Sequence, residues 1–215
     1  MTSKAGFFLS FEGGEACGKS TQIRLLAEKW RAIGRDVLTV REPGGTAVGE
    51  QIRHILKFAK ESSAMTPEAE LLLFAASRSQ LVREIIKPAL AAGTIVISDR
   101  FHDSTTVYQG VARRLDPAQV AAINDFAVGG CVPHATVLLD LPVEIAAARL
   151  RARGGEPDRM EAQPRAFHQA VREGYLALAA KETNRFVTVD GAGTPEEIHA
   201  AIVAALERRW HGLFA

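Results

Sequence analysis

Short apolar runs punctuate this chain, and between them apolar residues return every three or four positions. Phe7-Phe8-Leu9-Ser10-Phe11, Asp36 to Val40, Thr94 to Ser98, Ala135 to Leu141 and Phe186 to Val189 are short and rich in β-branched or aromatic residues, which predicts strands. The stretches between them read as helices. Gln22 to Trp30 sets Ile23, Leu26, Ala27 and Trp30 at helical spacing, and a second segment opens at Thr66-Pro67, a cap residue followed by proline at the first helical position. That segment runs towards Pro88 with the stripe Leu71, Phe74, Arg78, Leu81, Ile85. Alternating strands and helices predict an α/β fold whose parallel sheet is covered on both faces, with ligands bound beyond the carboxyl ends of the strands.

The first strand runs directly into Gly13-Gly14-Glu15-Ala16-Cys17-Gly18-Lys19-Ser20-Thr21. This is the G-x-x-x-x-G-K-[ST] spacing of a phosphate-binding loop, in which successive backbone N–H groups turn inward at phosphate oxygens. The helix N-terminus behind the loop adds positive potential, Lys19 can reach the β- and γ-phosphates, and the Ser20 hydroxyl is placed to ligate magnesium. A nucleoside triphosphate is the natural ligand.

Two further motifs fall at strand ends on the same side: Arg41-Glu42-Pro43-Gly44-Gly45-Thr46 and Asp99-Arg100. The Asp99 carboxylate can orient magnesium-bound water while Arg100 overhangs the crevice; a structural ion pair is the other reading. Arg78 interrupts an apolar face. It is either a snorkelling arginine or an anion clamp one turn from the Phe74 ring, on which a base could stack. Arg149, Arg151, Arg153 and Arg159 crowd a segment broken by Gly154-Gly155 and Pro157. Such a run reads as a solvated face or, opposite a phosphate loop, as a glycine-hinged flap whose cations arrive on closure.

Composition narrows the picture. At 215 residues the chain fits one domain, residues 1–215, with a lid at about 149–160. Lys plus Arg number 26 against 25 Asp plus Glu, so no polybasic argument for nucleic acid or membrane arises. Cys17 and Cys131 are far apart, without metal-ligand spacing, and neither is expected to be structural. A thiol near a helix N-terminus can have a lowered pKa, so Cys17 is a candidate for oxidation. An export signal would destroy the loop motif, no apolar stretch approaches the roughly 20 residues of a membrane span, and a soluble cytoplasmic protein is expected.

Four motifs together carry a resemblance over nearly the full chain: Phe11 to Thr21, Arg41 to Thr46, Asp99 through Gly110, and the arginine-rich segment ending Asp158-Arg159. The chain resembles bacterial thymidylate kinases, P-loop nucleoside monophosphate kinases. The resemblance implies a three-layer P-loop NTPase fold with a five-stranded parallel sheet, transfer of a phosphoryl group from ATP to dTMP, magnesium as cofactor and a homodimer, with Ala118 to Val128 and Leu71 to Ile86 as candidate surfaces. It implies that residues Gly13 to Thr21 hold ATP and that Ser20 and Asp99 serve the metal, with Glu15 orienting it or its waters. It implies that Phe74 stacks on thymine, Arg78 bonds near the base, Arg100 holds the acceptor phosphate, and Thr105 and Gln109 read the base. Glu42 and Arg41 lie in the segment shaping the acceptor pocket, Ser104 belongs to the same site, and Tyr108 closes the space under the ribose 2′ carbon. Pro43 matches a proline usually preceded by a cis peptide, so a cis Glu42-Pro43 bond is expected. Ala16 stands where some members carry an arginine, which moves that charge to the lid: Arg153 first, with Arg149, Arg151 and Arg159 as competitors.

The acceptor phosphate has a second pKa near ~6 and is mostly a dianion at neutral pH, so no general base is required. Lys19, Glu15, Asp99, Arg100 and Arg153 are the expected catalytic set, acting by alignment and charge neutralisation. The competing readings are a kinase for another nucleoside monophosphate or a deoxynucleoside, and a nucleotide-binding switch. A neutral nucleoside needs no second phosphate site, and the guanine-reading Asn-Lys-x-Asp pattern is absent.

Overall fold

The computed structural model describes residues 6–59 and 64–214. Its strands are β1 (Phe7–Glu12), β2 (Val37–Arg41), β3 (Ile95–Asp99), β4 (Ala135–Asp140) and β5 (Phe186–Asp190), each within a residue or so of its predicted span. They form one sheet in the order β2-β3-β1-β4-β5, parallel throughout. The helices are α1 (Lys19–Ala32), α2 (Ala47–Lys57), α3 (Pro67–Leu81), α4 (Lys87–Ala91), α5 (His102–Thr105), α6 (Pro117–Val128), α7 (Val143–Arg153), α8 (Arg165–Lys181) and α9 (Pro195–Arg209).

Side chains on alternate sides of β1 explain the layers. Leu9 and Phe11 pack with Ile23, Leu26 and Trp30 of α1 and Ile198, Ile202 and Leu206 of α9. Phe8 faces the other way, onto Leu81, Ile86, Phe101 and Val128. A further cluster of Leu138, Val171 and Tyr175 seats α8 beside β4. β1 is central and leaves β3 and β4 on opposite sides, so the crevice at its carboxyl end is where chain direction divides and ligands fit.

Thr66 caps α3 as expected, its hydroxyl accepting from the Ala69 N–H, with Pro67 at the first position. The helix does not stop at Pro88. A π-helical turn, Val82–Ile86, precedes it and the chain continues as α4 through Ala91. Widening the turn makes room for a ring that lacks an N–H and would clash with the preceding turn. The cysteines correct a second expectation, since both are buried in apolar clusters and do structural packing. Burial also removes the access that Cys17 oxidation would need.

Candidate active site

The loop after β1 must turn sharply while β4 passes close by. A Cβ on Gly13, at φ +136°, would stand 2.5 Å from the Leu139 carbonyl oxygen, so only glycine fits. Gly18, at φ 99°, then starts α1. Lys19 is buried, and its ammonium donates to the carbonyls of Gly13 (3.3 Å) and Gly14 (2.8 Å). The Ser20 hydroxyl donates to Asp99 Oδ2 at 2.9 Å, bringing together the two predicted metal-site oxygens.

Arg100 follows β3 in the left-handed region, φ 69°, a conformation that costs a non-glycine residue about 1–2 kcal/mol. Neighbouring bonds hold it there: its N–H donates to Phe11 O, and Ser98 Oγ donates to its carbonyl at 2.6 Å. Its guanidinium spans Gly13 O (2.9 Å), Ser104 Oγ and Tyr175 OH (both 3.3 Å) and Glu15 Oε1 (2.7 Å). Burial alone would raise the Glu15 carboxyl, but Arg100, Lys19, Lys57 and the Tyr108 hydroxyl hold it down at about 2. Glu15 therefore stays ionised and is engaged by Arg100 and Tyr108, a use the sequence did not foretell.

A cleft opens beside Arg100. Of the predicted acceptor residues, Glu42, Pro43, Phe74, Arg100, Ser104, Thr105, Tyr108 and Gln109 line it, joined by Glu15, Lys57 and Met160. The Glu42-Pro43 peptide is cis. Arg41 does not face this cleft: it pairs with Glu50 at 2.9 Å and lines a separate groove with Ser20 and Asp99. Arg78 corrects the snorkelling expectation, being 1% exposed beneath the cleft. It donates through Nε to Glu42 Oε2 (2.8 Å), through Nη1 to Asn124 (3.0 Å), and through Nη2 to Thr105 Oγ1 (2.9 Å) and Phe101 O (3.3 Å). Its fork thus orients two cleft residues, and most of its donors are already committed rather than awaiting a phosphate. Burial pushes the Glu42 carboxyl up against the pull of Arg78. Arg78→Ala should destabilise the fold by about 3–5 kcal/mol, because Glu42 is left buried without its partner. Urea unfolding measures this, and a loss below about 1 kcal/mol would show the pair to be dispensable.

The four lid arginines separate. Arg149, on α7, reaches the loop carbonyl of Ala16 at 3.5 Å. Arg151 lines a cavity of about 440 Å³ between α7, α8 and the loop. Arg153 is 57% exposed and pairs with Glu161 at 2.9 Å. Arg159 is spent on structure, bonding Leu56 O (2.8 Å) and Glu70 (2.5 Å), which takes it out of the competition for the transferred phosphate. With the Lys57–Asp158 pair at 2.7 Å, it ties the base of the lid to α2 and α3. Gly154 and Gly155, at φ 69° and 84°, turn the chain at the end of α7.

Sequence reasoning missed Glu12, Lys57, Met160 and Tyr175. For Glu12 a signal existed, a carboxylate ending an otherwise buried strand. Lys57 and Tyr175 lie within ordinary helical segments and gave none.

The thymidylate kinase family model matches residues 11–202. A thymidylate kinase of Geotalea uraniireducens (strain Rf4) is 49% identical over 209 residues, covering 95% of this chain and 98% of that protein. One from Sulfurihydrogenibium sp. (strain YO3AOP1) is 46% identical over 204 residues, covering 95% and 98%. The crystal structure of thymidylate kinase from Ehrlichia chaffeensis superposes with a TM-score of 0.76 at 30% identity, over 94% of this chain and 99% of that one. The chain belongs to the thymidylate kinase family.

Proposed function

We propose that the phosphate loop and the cleft, joined at Arg100, divide one reaction, the transfer of the γ-phosphoryl group of ATP to dTMP. The protein phosphorylates dTMP to dTDP with ATP. One observation carries the division of labour: Arg100 bonds the phosphate-loop carbonyl of Gly13 and, from the same guanidinium, faces a cleft containing Phe74 and Tyr108. A cation at that seam neutralises the acceptor phosphate at the point where it meets the transferred group.

On this reading the thymine stacks on Phe74, with Thr105 and Gln109 beside it, and the Tyr108 ring excludes a ribose 2′-hydroxyl. The acceptor phosphate, already a dianion, attacks without a base, while Lys19 and the loop amides take up the γ-phosphate charge. The donor set fits magnesium, since Ser20 Oγ and Asp99 are hard oxygens in contact and magnesium commonly keeps waters and substrate phosphates as its remaining ligands. Among the described residues no cluster of three His, Cys, Asp or Glu suggests a different, fully protein-held ion. When bound there, magnesium would supply charge neutralisation on the ATP phosphates. Arg149, close to the loop, and Arg153, at the end of α7 just before the Gly154-Gly155 hinge, share the lid's charge, and closure keeps water from the γ-phosphate.

A homodimer and a cytoplasmic location belong to the same reading. Phe126 on α6 is 78% exposed and Leu72 on α3 is 57% exposed, and apolar side chains so placed suit a subunit contact. The test of function is ADP formation from Mg-ATP against dTMP, dUMP, UMP, CMP, AMP, GMP and thymidine, with products identified by mass. Strong turnover of dTMP with little of UMP is expected. Turnover of thymidine alone, or only acceptor-independent hydrolysis, would overturn the assignment.

A further inference from the structure

Glu12 ends the central strand, in register with Leu138 of β4, and its side chain is fully buried. All of its recorded donors belong to the surroundings of Arg100. Oε1 accepts the Phe101 N–H at 2.7 Å, and Oε2 accepts Ser104 Oγ at 2.6 Å and Tyr175 OH at 2.8 Å. Those two hydroxyls stand 2.7 Å apart and both receive Arg100 Nη1 at 3.3 Å. A guanidinium offers only donors, and each hydroxyl has one proton. The network therefore has a direction: Arg100 donates to the hydroxyl oxygens, and their protons pass on to the carboxylate, directly or through the neighbouring hydroxyl, where Glu12 accepts.

We propose that Glu12 is a positioning residue for phosphoryl transfer, holding Arg100 in place through Ser104 and Tyr175 and fixing the polarity of the hydrogen bonds between them. This rests on the reading in which Arg100 holds the acceptor phosphate. A glutamine at the same place mispairs in either orientation. With its NH₂ towards the hydroxyls, donors face donors and their protons turn back towards the guanidinium; with its NH₂ towards Phe101, it opposes a backbone N–H. Protonation of Glu12 has the first of these effects. Burial and Asp103 raise the Glu12 carboxyl to about 7, against Ser104, Arg100 and Tyr175, which lower it. The charged and titratable groups around it are Arg100 from the β3–α5 turn, Asp103 from α5 and Tyr175 from α8; Arg185 and His102 in turn face Asp103. The ionised form is the competent one, so turnover should fall as pH drops through about 7, above the ~6 ionisation of the acceptor phosphate itself.

The experiment compares the wild type with E12Q, Y175F, R100A and the E12Q/R100A double variant, measuring kcat, KM for dTMP and KM for ATP from pH 6 to 9 (roughly the window around these ionisations), with circular dichroism for folding. E12Q should lose at least about tenfold in kcat, keep its ATP KM within about twofold and lack the acid limb near 7; general loosening of the adjoining phosphate loop would raise the ATP KM instead. Because both residues act as one unit, E12Q/R100A should be no slower than R100A. Wild-type kcat in E12Q, or a double variant slower by the product of both effects, would overturn the proposal. If E12Q does not fold, Y175F decides, since it keeps the carboxylate and the ring but removes one bridge; unchanged kcat and dTMP KM there would also overturn it. Undiminished turnover in R100A would instead overturn the underlying role of Arg100.

Discussion

Lys19→Ala should lower dTMP-dependent turnover by roughly a hundred- to thousandfold, the usual cost of removing one preorganised donor from developing charge. The ammonium sits at the mouth of the loop on the carbonyls of Gly13 and Gly14, close to where the transferred phosphoryl group must pass. The fold should be unaffected. Lys19 is the first residue of α1, where a cation opposes the helix dipole and alanine is a better helix former, so the variant loses little beyond its loop hydrogen bonds to Gly13 O, Gly14 O and Cys17 Sγ. A coupled ADP assay and a melting curve measure the two halves of this statement. Near-normal turnover would remove Lys19 from the mechanism, and a large fall in melting temperature would make its role structural.

The strands and the phosphate loop were legible because each is a local pattern. A run such as Ile95-Val96-Ile97 has few alternatives to a buried strand, and Gly13 and Gly18 stand where backbone geometry admits little else. The cleft beside Arg100 was legible through motif resemblance, which named nearly all its lining residues, including Tyr108 and the cis Glu42-Pro43 peptide. What stayed hidden depends on partners distant in sequence. Arg78 could not be read correctly from helix periodicity because the partner that buries it, Glu42, comes from the end of another strand. Arg159 looked like one cation in a run, and only the tertiary fold brings Glu70 to it. Glu70 also accepts from Gln109 at 2.7 Å, so one buried carboxylate links the base of the lid to a residue of the cleft. The π turn before Pro88 was equally hidden, since the pattern marks where a helix is under stress and not whether it ends or widens.

Arg100→Ala should abolish most dTMP-dependent turnover, by about a hundred- to thousandfold or more, while the protein remains folded. The geometry explains both parts. The guanidinium joins Gly13 O of the donor site to Glu15, Ser104 and Tyr175 of the cleft, and alanine severs that seam. Glu15 nonetheless keeps the field of Lys19 and Lys57 and its bond from Tyr108, and Glu12, which loses the Arg100 charge, keeps its bonds from the Phe101 N–H, Ser104 and Tyr175. Arg100→Lys should restore only a small part of the loss, because a point charge cannot occupy both arms of a planar fork. The two large effects can be told apart by the slow hydrolysis of ATP without acceptor. Lys19 serves the donor phosphates, so its removal should abolish that background as well; Arg100 serves the acceptor, so Arg100→Ala should leave the background standing. Equal loss of both activities in both variants would mean that Arg100 belongs to ATP binding, and the cleft would then need another residue to hold the acceptor phosphate.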